Sequence, residues 1–333
     1  MAVADRLRDA ITPRTLLLGV GVLVLQFAFI LSYLGAFHSP QPHRIPVTVV
    51  APPQVADQLV DQLNAVSGEP VHATASNHEI EARQALRRGE TSAVYVVSRA
   101  GTRDSLLVAS GGGTSVATAA EQLFTLAAQQ HGRTVAVQDL VPLSRGDVRG
   151  LSGFYLVIGW AVGGCLFAAM LGVAKGSRPA ALPRARWRLG ATLPYALVSG
   201  LGGATIAGPM LGALDGHFWP VAVIGVLVTL SAATVTIALQ TLFGVIGIAL
   251  TAVIFVILGN PSAGGAYQAP LLPPLWRAIS SYLPNGAGTD AIRRIVYFDA
   301  HGLTHPIVVL AVWIIGGATL TLVGSAVVKH PRQ

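Results

Sequence analysis

The sequence predicts a polytopic α-helical membrane protein, with six transmembrane helices and an extracytoplasmic α/β domain inserted between the first and second. Three observations predict it. Of 333 residues, 52% are hydrophobic and 11% charged, against roughly 25% charged in soluble domains. The apolar residues gather in runs long enough to cross a bilayer. One stretch, 38–150, breaks that pattern with short alternating strand and helix signals.

Residues 1–14 are polar, carry Arg6, Arg8 and Arg14, and read as a cytoplasmic N-terminus. Thr15 to Phe37 is an uninterrupted apolar run, which at helical rise covers roughly 30 Å and crosses once. A cleaved signal peptide would be shorter and would end in a small-x-small site. Gly35-Ala36-Phe37-His38 is a poor one, so the run is expected to stay as an anchor. Within 38–150, strands are expected at Val47–Ala51, Val71–Ala75, Ala93–Val97, Leu106–Ala109 and Val135–Leu140. Helices are expected at Gln54–Ser67, Glu79–Arg88 and Ser115–Gln130. About a hundred residues can hold a core of their own.

From residue 151 the chain returns to the membrane domain, 151–327. Spans are expected at about 151–174, 190–213, 218–240, 242–259 and 305–327, followed by a tail at 328–333. The loop Lys175–Arg188 carries Lys175, Arg178, Arg184, Arg186 and Arg188 with no acidic residue, and the positive-inside rule places it in the cytoplasm. Both termini then face the cytoplasm, and the α/β domain, the turn Asp215-Gly216-His217 and the strip 260–304 lie outside. Arg277, Arg293 and Arg294 are outer exceptions, eased by Asp290 three and four residues before the last two.

The strip 260–304 opens with turn chemistry, Asn260-Pro261-Ser262-Ala263-Gly264-Gly265. A first helix is expected from Pro273-Pro274, with Leu275, Ile279, Tyr282 and Leu283 on one side. A second is expected after the break Pro284-Asn285-Gly286, capped by Thr289 or Asp290, with Ile292, Ile295 and Val296 as its stripe. Helices of about ten residues reach roughly 15 Å, half a bilayer. They lie at the interface or dip in and return, packed on protein.

No Asp, Glu, Lys or Arg falls within the expected spans, which argues against an ion-coupled carrier. Gln26, Gln240 and the Ser and Thr residues there are expected to bond to backbone or neighbouring helices. Gly159-x-x-x-Gly163, Gly172-x-x-x-Gly176 and Ser199-x-x-x-Gly203 allow close helix approach. Pro194 and Pro209 can kink their span. Gly111-Gly112-Gly113-Thr114-Ser115 resembles a phosphate nest but reads as a flexible turn with a Thr114 or Ser115 cap. The chain has no G-x-x-x-x-G-K-[ST] loop, no H-E-x-x-H and no nucleophile–base pair. No enzyme activity, cofactor or metal is expected, and the single Cys165 makes no intramolecular disulfide. The net charge of +7 follows from topology and does not call for nucleic acid. Arg184, Arg186, Trp187 and Arg188 could lie as a short surface helix where a cytoplasmic partner docks.

The layout resembles the membrane subunits of ABC-2-type exporters, nearest to the phage-infection-protein-like branch in its actinobacterial style. The resemblance rests on Val47-Thr48-Val49-Val50, on Glu81 to Gly89, and on Ala93-Val94-Tyr95-Val96-Val97. In the membrane block it rests on Gly153-Phe154-Tyr155, on Asn260 to Gly265, on Leu272 to Trp276, on Tyr282 to Ala287, and on Ile292-Arg293-Arg294. It implies a homodimer or heterodimer among membrane lipids, exporting a substrate with energy from a separate ATPase subunit. Pro273, Pro274, Trp276, Pro284, Asn285, Gly286, Arg293 and Arg294 are then the candidate outer gate. Uncharged spans favour an amphipathic or lipid-like cargo. The alternative is a non-transporting receptor or scaffold whose outer domain binds a partner or envelope component.

Overall fold

The computed structural model describes residues 12–99, 101–175 and 182–327. Residues 1–11, Ala100, 176–181 (with Arg178) and the tail 328–333 lie outside the described residues. Among the described residues, five helices are long and apolar enough to cross a membrane: Thr15–Phe37, Ser152–Val173, Leu182–Met210, Phe218–Phe243 and Thr304–Val327.

The first, α1 (Pro13–Phe37), starts with proline in its first turn and Thr12 as N-cap, the Thr12 hydroxyl accepting from the Thr15 amide. A five-stranded sheet follows: β1 (Ile45–Val50), β2 (Val71–Ser76), β3 (Ala93–Val96), β4 (Arg103–Val108) and β5 (Thr134–Asp139), in the order β2-β1-β3-β4-β5. Only β3–β4 is antiparallel; β1–β2, β1–β3 and β4–β5 are parallel. Three helices cover the sheet, α2 (Pro53–Asn64), α3 (Glu79–Arg87) and α4 (Thr114–Gln130). Period-2 alternation sorts the faces. Ile45, Val47, Ala93, Tyr95, Leu106 and Val108 pack on Val116, Ala117, Ala120 and Phe124 of α4 and on Leu59 and Leu63 of α2. Val94 and Leu107 turn the other way, onto Ala82 and Leu86 of α3.

The membrane block comprises α5 (Ser152–Lys175), α6 (Leu182–Thr205) with a π-helical turn Ile206–Met210 holding Pro209, α7 (Phe218–Phe243), a segmented helix, two short helices and α12 (Thr304–Val327). Helix α7 is the hub, with α5, α6 and α12 packed around it. Of its apolar stretch 78% is buried, against 6% for α1, which sits at the rim. Glycine lets these helices close up: the Trp160 indole fills the notch left by Gly203 and Gly225 and donates to the Ser199 carbonyl at 2.9 Å. Thr234, Thr236, Thr241, Thr251, Thr321 and Ser325 each donate to the carbonyl four residues back, so hydroxyls are satisfied without water.

The stretch expected to span at 242–259 holds an apolar helix, Ile246–Ser262, built from α8 (Ile246–Ala252), a π-helical turn Val253–Leu258 and α9 (Gly259–Ser262). Two other expectations are corrected here. Helix α6 begins at Leu182, so Arg184, Arg186, Trp187 and Arg188 form the first turns of a long helix instead of a separate surface helix. Arg184, Arg186 and Trp187 are exposed, but Arg188 is buried at 7% exposure, so the bundle does hold an arginine at that end. Gln240 is fully buried against Gly172, and neither its amide N nor its amide O has a hydrogen-bond partner among the described residues. A paired glutamine was expected there.

Candidate functional site: the junction of sheet and strip

The strip 260–304 joins the sheet to the membrane block. Its two helices are α10 (Pro274–Ser280) and α11 (Pro284–Tyr297). Pro284 occupies the first helical turn and Leu283 is the N-cap, so Pro284-Asn285-Gly286 begins the helix that it was expected to precede. Proline at that position has no amide to leave unpaired. Neither Thr289 nor Asp290 caps: Thr289 Oγ1 donates to the Asn285 carbonyl at 2.8 Å, and Asp290 pairs with Arg294 at 2.8 Å.

Toward the membrane, the strip is pinned to the segmented helix and to α1. Asn285 Nδ2 donates to the Phe255 carbonyl at 3.0 Å and to Asn260 Oδ1 at 2.7 Å. Trp276 Nε1 donates to Ser32 Oγ at 3.0 Å, and Ser32 Oγ donates to the Ile257 carbonyl. Phe255 and Ile257 lie in the π-helical turn, where the changed register frees carbonyls for such bonds. Gly35 lets the Trp276 ring lie on α1, and Gly286 lies against the Ser280 backbone, where a Cβ would collide. Trp313 Nε1 of α12 donates to the Tyr282 carbonyl at 2.7 Å. Pro273 is the N-cap residue of α10 and Pro274 its first residue.

Toward the sheet, the strip enters both cores. Leu271 packs with the α2/α4 face and Phe298 with the α3 face. Gly111 and Gly112 give room for Tyr297 and Phe298, and Gly113, at φ +150, for the Gln268 side chain. Gln268 Oε1 accepts from the Val116 amide in the first turn of α4, and Ser115 Oγ donates to the Ala266 carbonyl. The glycine run thus receives the strip, and Gln268 supplies the cap expected of Thr114 or Ser115. Tyr297 OH donates to Asp147 Oδ2 at 3.0 Å, while Asp147 Oδ1 accepts from the Leu151 and Ser152 amides at the start of α5.

Arg293 and Arg294 part company. Arg294 holds Asp290 and donates to the His301 carbonyl. Arg293 turns inward and donates through Nη2 to the Gly264 carbonyl at 2.9 Å. Burial pushes its guanidinium below the ordinary arginine range, outweighing the attraction of Asp290, Tyr297 and Asp147. A cavity of about 370 Å³ opens beside it, between sheet and strip. All eight candidate gate residues therefore belong to one junction. Arg184, Arg186, Trp187 and Arg188 lie elsewhere, on α6. Sequence periodicity did not expose Ser32, Asp147, Gln268, Tyr297 or Phe298, because each acts on a residue far away in the chain.

A family model for ABC-2 family transporter proteins matches residues 14–324. The chain belongs to the ABC-2 transporter family. Neither a curated protein nor a solved structure matches it. ABC-2 membership makes this a membrane-embedded permease of the kind that works with a separate ATPase, and its apolar helices fit a multi-pass plasma-membrane protein.

Proposed function

We propose that this ABC-2 chain is the permease subunit of an exporter that moves an amphipathic or lipid-like substrate outward, with the sheet and the strip 260–304 acting together as its outer gate. The supporting observation is that the strip places Leu271 in one face of the sheet and Phe298 in the other. A gate helix anchored in this way transmits membrane-helix motion to the whole outer domain, which a tethered receptor domain would not need. Both termini face the cytoplasm, the sheet lies outside, and Ile246–Ser262 completes the sixth crossing. ATP is hydrolysed by a partner subunit and not by this chain. That partner docks on the exposed Arg184, Arg186 and Trp187 at the start of α6. Two copies, or this chain and a related one, enclose the path, in the manner of the phage-infection-protein-like branch in its actinobacterial style.

Purification from native membranes tests the reading. A nucleotide-binding protein should travel with the chain, and deletion should reduce efflux of at least one amphipathic compound. If no such protein co-purifies and efflux of every compound is unchanged, the exporter reading fails and the receptor takes its place. In intact cells an impermeant label should reach a cysteine placed at Ser281 and not one placed at Arg186.

A further inference from the structure

Arg277 is the outer exception to the positive-inside rule that nothing eases. Unlike Arg293 and Arg294, it has no acid at helical spacing. Among the described residues it makes no hydrogen bond or ion pair. Its helix, α10, lies beside the end of a membrane span. The adjacent Trp276 donates to Ser32 Oγ at 3.0 Å and rests over Gly35, both in the last two turns of α1. Leu275 and Tyr282 are 54% and 63% exposed, the kind of side chain that meets lipid at an interface. A pocket of about 510 Å³ opens here, between the chain leaving α1, the turn Gly68-Glu69 and the start of α10. Arg277 and Glu69 both line it, with Ser39, Gln41 and His43. Glu69 meets Arg44 at 3.4 Å, and both side chains are 56% exposed. Such a pair is weak and leaves the carboxylate able to accept again. One pocket at the end of a span therefore presents an unpaired cation and an accessible anion.

We propose that this pocket binds the headgroup of a phospholipid whose phosphate carries a primary amine, as in phosphatidylethanolamine, with Arg277 on the phosphate and Glu69 on the ammonium. The guanidinium fork matches phosphate oxygens. An ammonium brings three N–H donors to a carboxylate, and a trimethylated choline brings none. Soluble glycerophosphoethanolamine carries the same phosphate–ammonium chemistry. The bilayer is the source, because the pocket adjoins the end of α1 and the exposed Leu275, and acyl chains lie alongside a span. The site requires α10 at a membrane surface and does not depend on the exporter reading.

The experiment is calorimetric titration of the purified full-length chain in neutral detergent. Probes are short-chain phosphatidylethanolamine, short-chain phosphatidylcholine and glycerophosphoethanolamine. Phosphatidylethanolamine should bind at one equivalent, about tenfold tighter than phosphatidylcholine, as befits one charge-assisted bond. Glycerophosphoethanolamine, which buries no acyl chain, should bind at least about tenfold more weakly than the lipid. Arg277→Gln should weaken the ethanolamine lipid about tenfold, and Arg277→Lys should retain part of the affinity. Glu69→Gln should bring the ethanolamine lipid down to the level of phosphatidylcholine and leave phosphatidylcholine unchanged. Arg277 has no bond to lose and Glu69 is half-exposed, so both variants should melt as the parent does. The proposal is overturned if phosphatidylethanolamine binds no better than phosphatidylcholine, or if either Arg277→Gln or Glu69→Gln binds it as the parent does. Equal affinity for glycerophosphoethanolamine would overturn the bilayer as the source.

Discussion

The sheet and the helical bundle bury polar groups by opposite means. In the sheet, Asp104 is 1% exposed and fully partnered. It accepts from Arg133 Nε at 2.6 Å, Tyr95 OH at 2.7 Å and the Ser98 amide at 2.8 Å. In the bundle, hydroxyls fold back on their own helices and glycines remove side chains altogether. A water-facing domain can use charge because partly exposed Arg133 still sees solvent. A lipid-facing bundle has no such relief, and close backbone approach takes its place. The two regimes meet at α11, whose first turn lies among bundle residues and whose C-terminal end lies in the sheet.

The largest effect should come from cutting that meeting point. Phe298→Ala should destabilise the sheet by about 3–5 kcal/mol, as for a buried aromatic truncation. Urea unfolding followed by limited proteolysis should show 38–150 opening while the bundle stays helical. If both regions unfold together, the two-regime picture fails.

Next is the charged cluster. Asp104→Asn should cost about 3 kcal/mol, the low end for a broken buried pair, because Arg133 is partly exposed. Burial raises the Asp104 carboxyl, but Arg133, Tyr95 and the Ser98 amide outweigh it and hold it below the usual 3.8. A depressed carboxylate stabilises the fold fully above that unfolded value, and the stability is lost as pH falls through the lower folded one. Thermal melts below about pH 4 should therefore drop more steeply for the parent than for Asp104→Asn.

Within the bundle, Gly203→Leu should cost about 1–3 kcal/mol by driving into Trp160. Loss of helix content on heating in detergent would register it, with the sheet's urea midpoint unchanged. The smallest effect is expected at Gln240. Gln240→Leu removes an amide that has no partner, so it should lie within about 1 kcal/mol of the parent or melt higher. A large loss of stability would show that the bundle tolerates polar pairing after all.

Much of this was legible in the residues. Every strand and helix expected in 38–150 is found within a few positions, because alternation and 3.6-residue stripes are local signals. The long apolar runs announced themselves in the same way. The eight candidate gate residues converge at one junction since proline, glycine and tryptophan cluster where a short helix pair must pack on protein. Helix starts were less legible: α11 follows Leu283, an N-cap residue with no polar side chain. The fate of Arg293 and Arg294 was not legible at all. Both stand within reach of Asp290 on helical spacing, yet only Arg294 takes it.

By itself, then, the sequence determined the long apolar helices, the interposed α/β stretch and the presence of two short helices in the strip, found with 7 and 14 residues where about ten each were expected, all consequences of periodicity and hydropathy along the chain. Only the tertiary structure decided that α7 is the hub, that Leu271 and Phe298 complete the sheet's two cores, and that Arg293 faces a cavity. Those outcomes depend on which residues meet across separations from about thirty to well over a hundred positions, and side-chain pairing at such separations leaves no period in the chain to read.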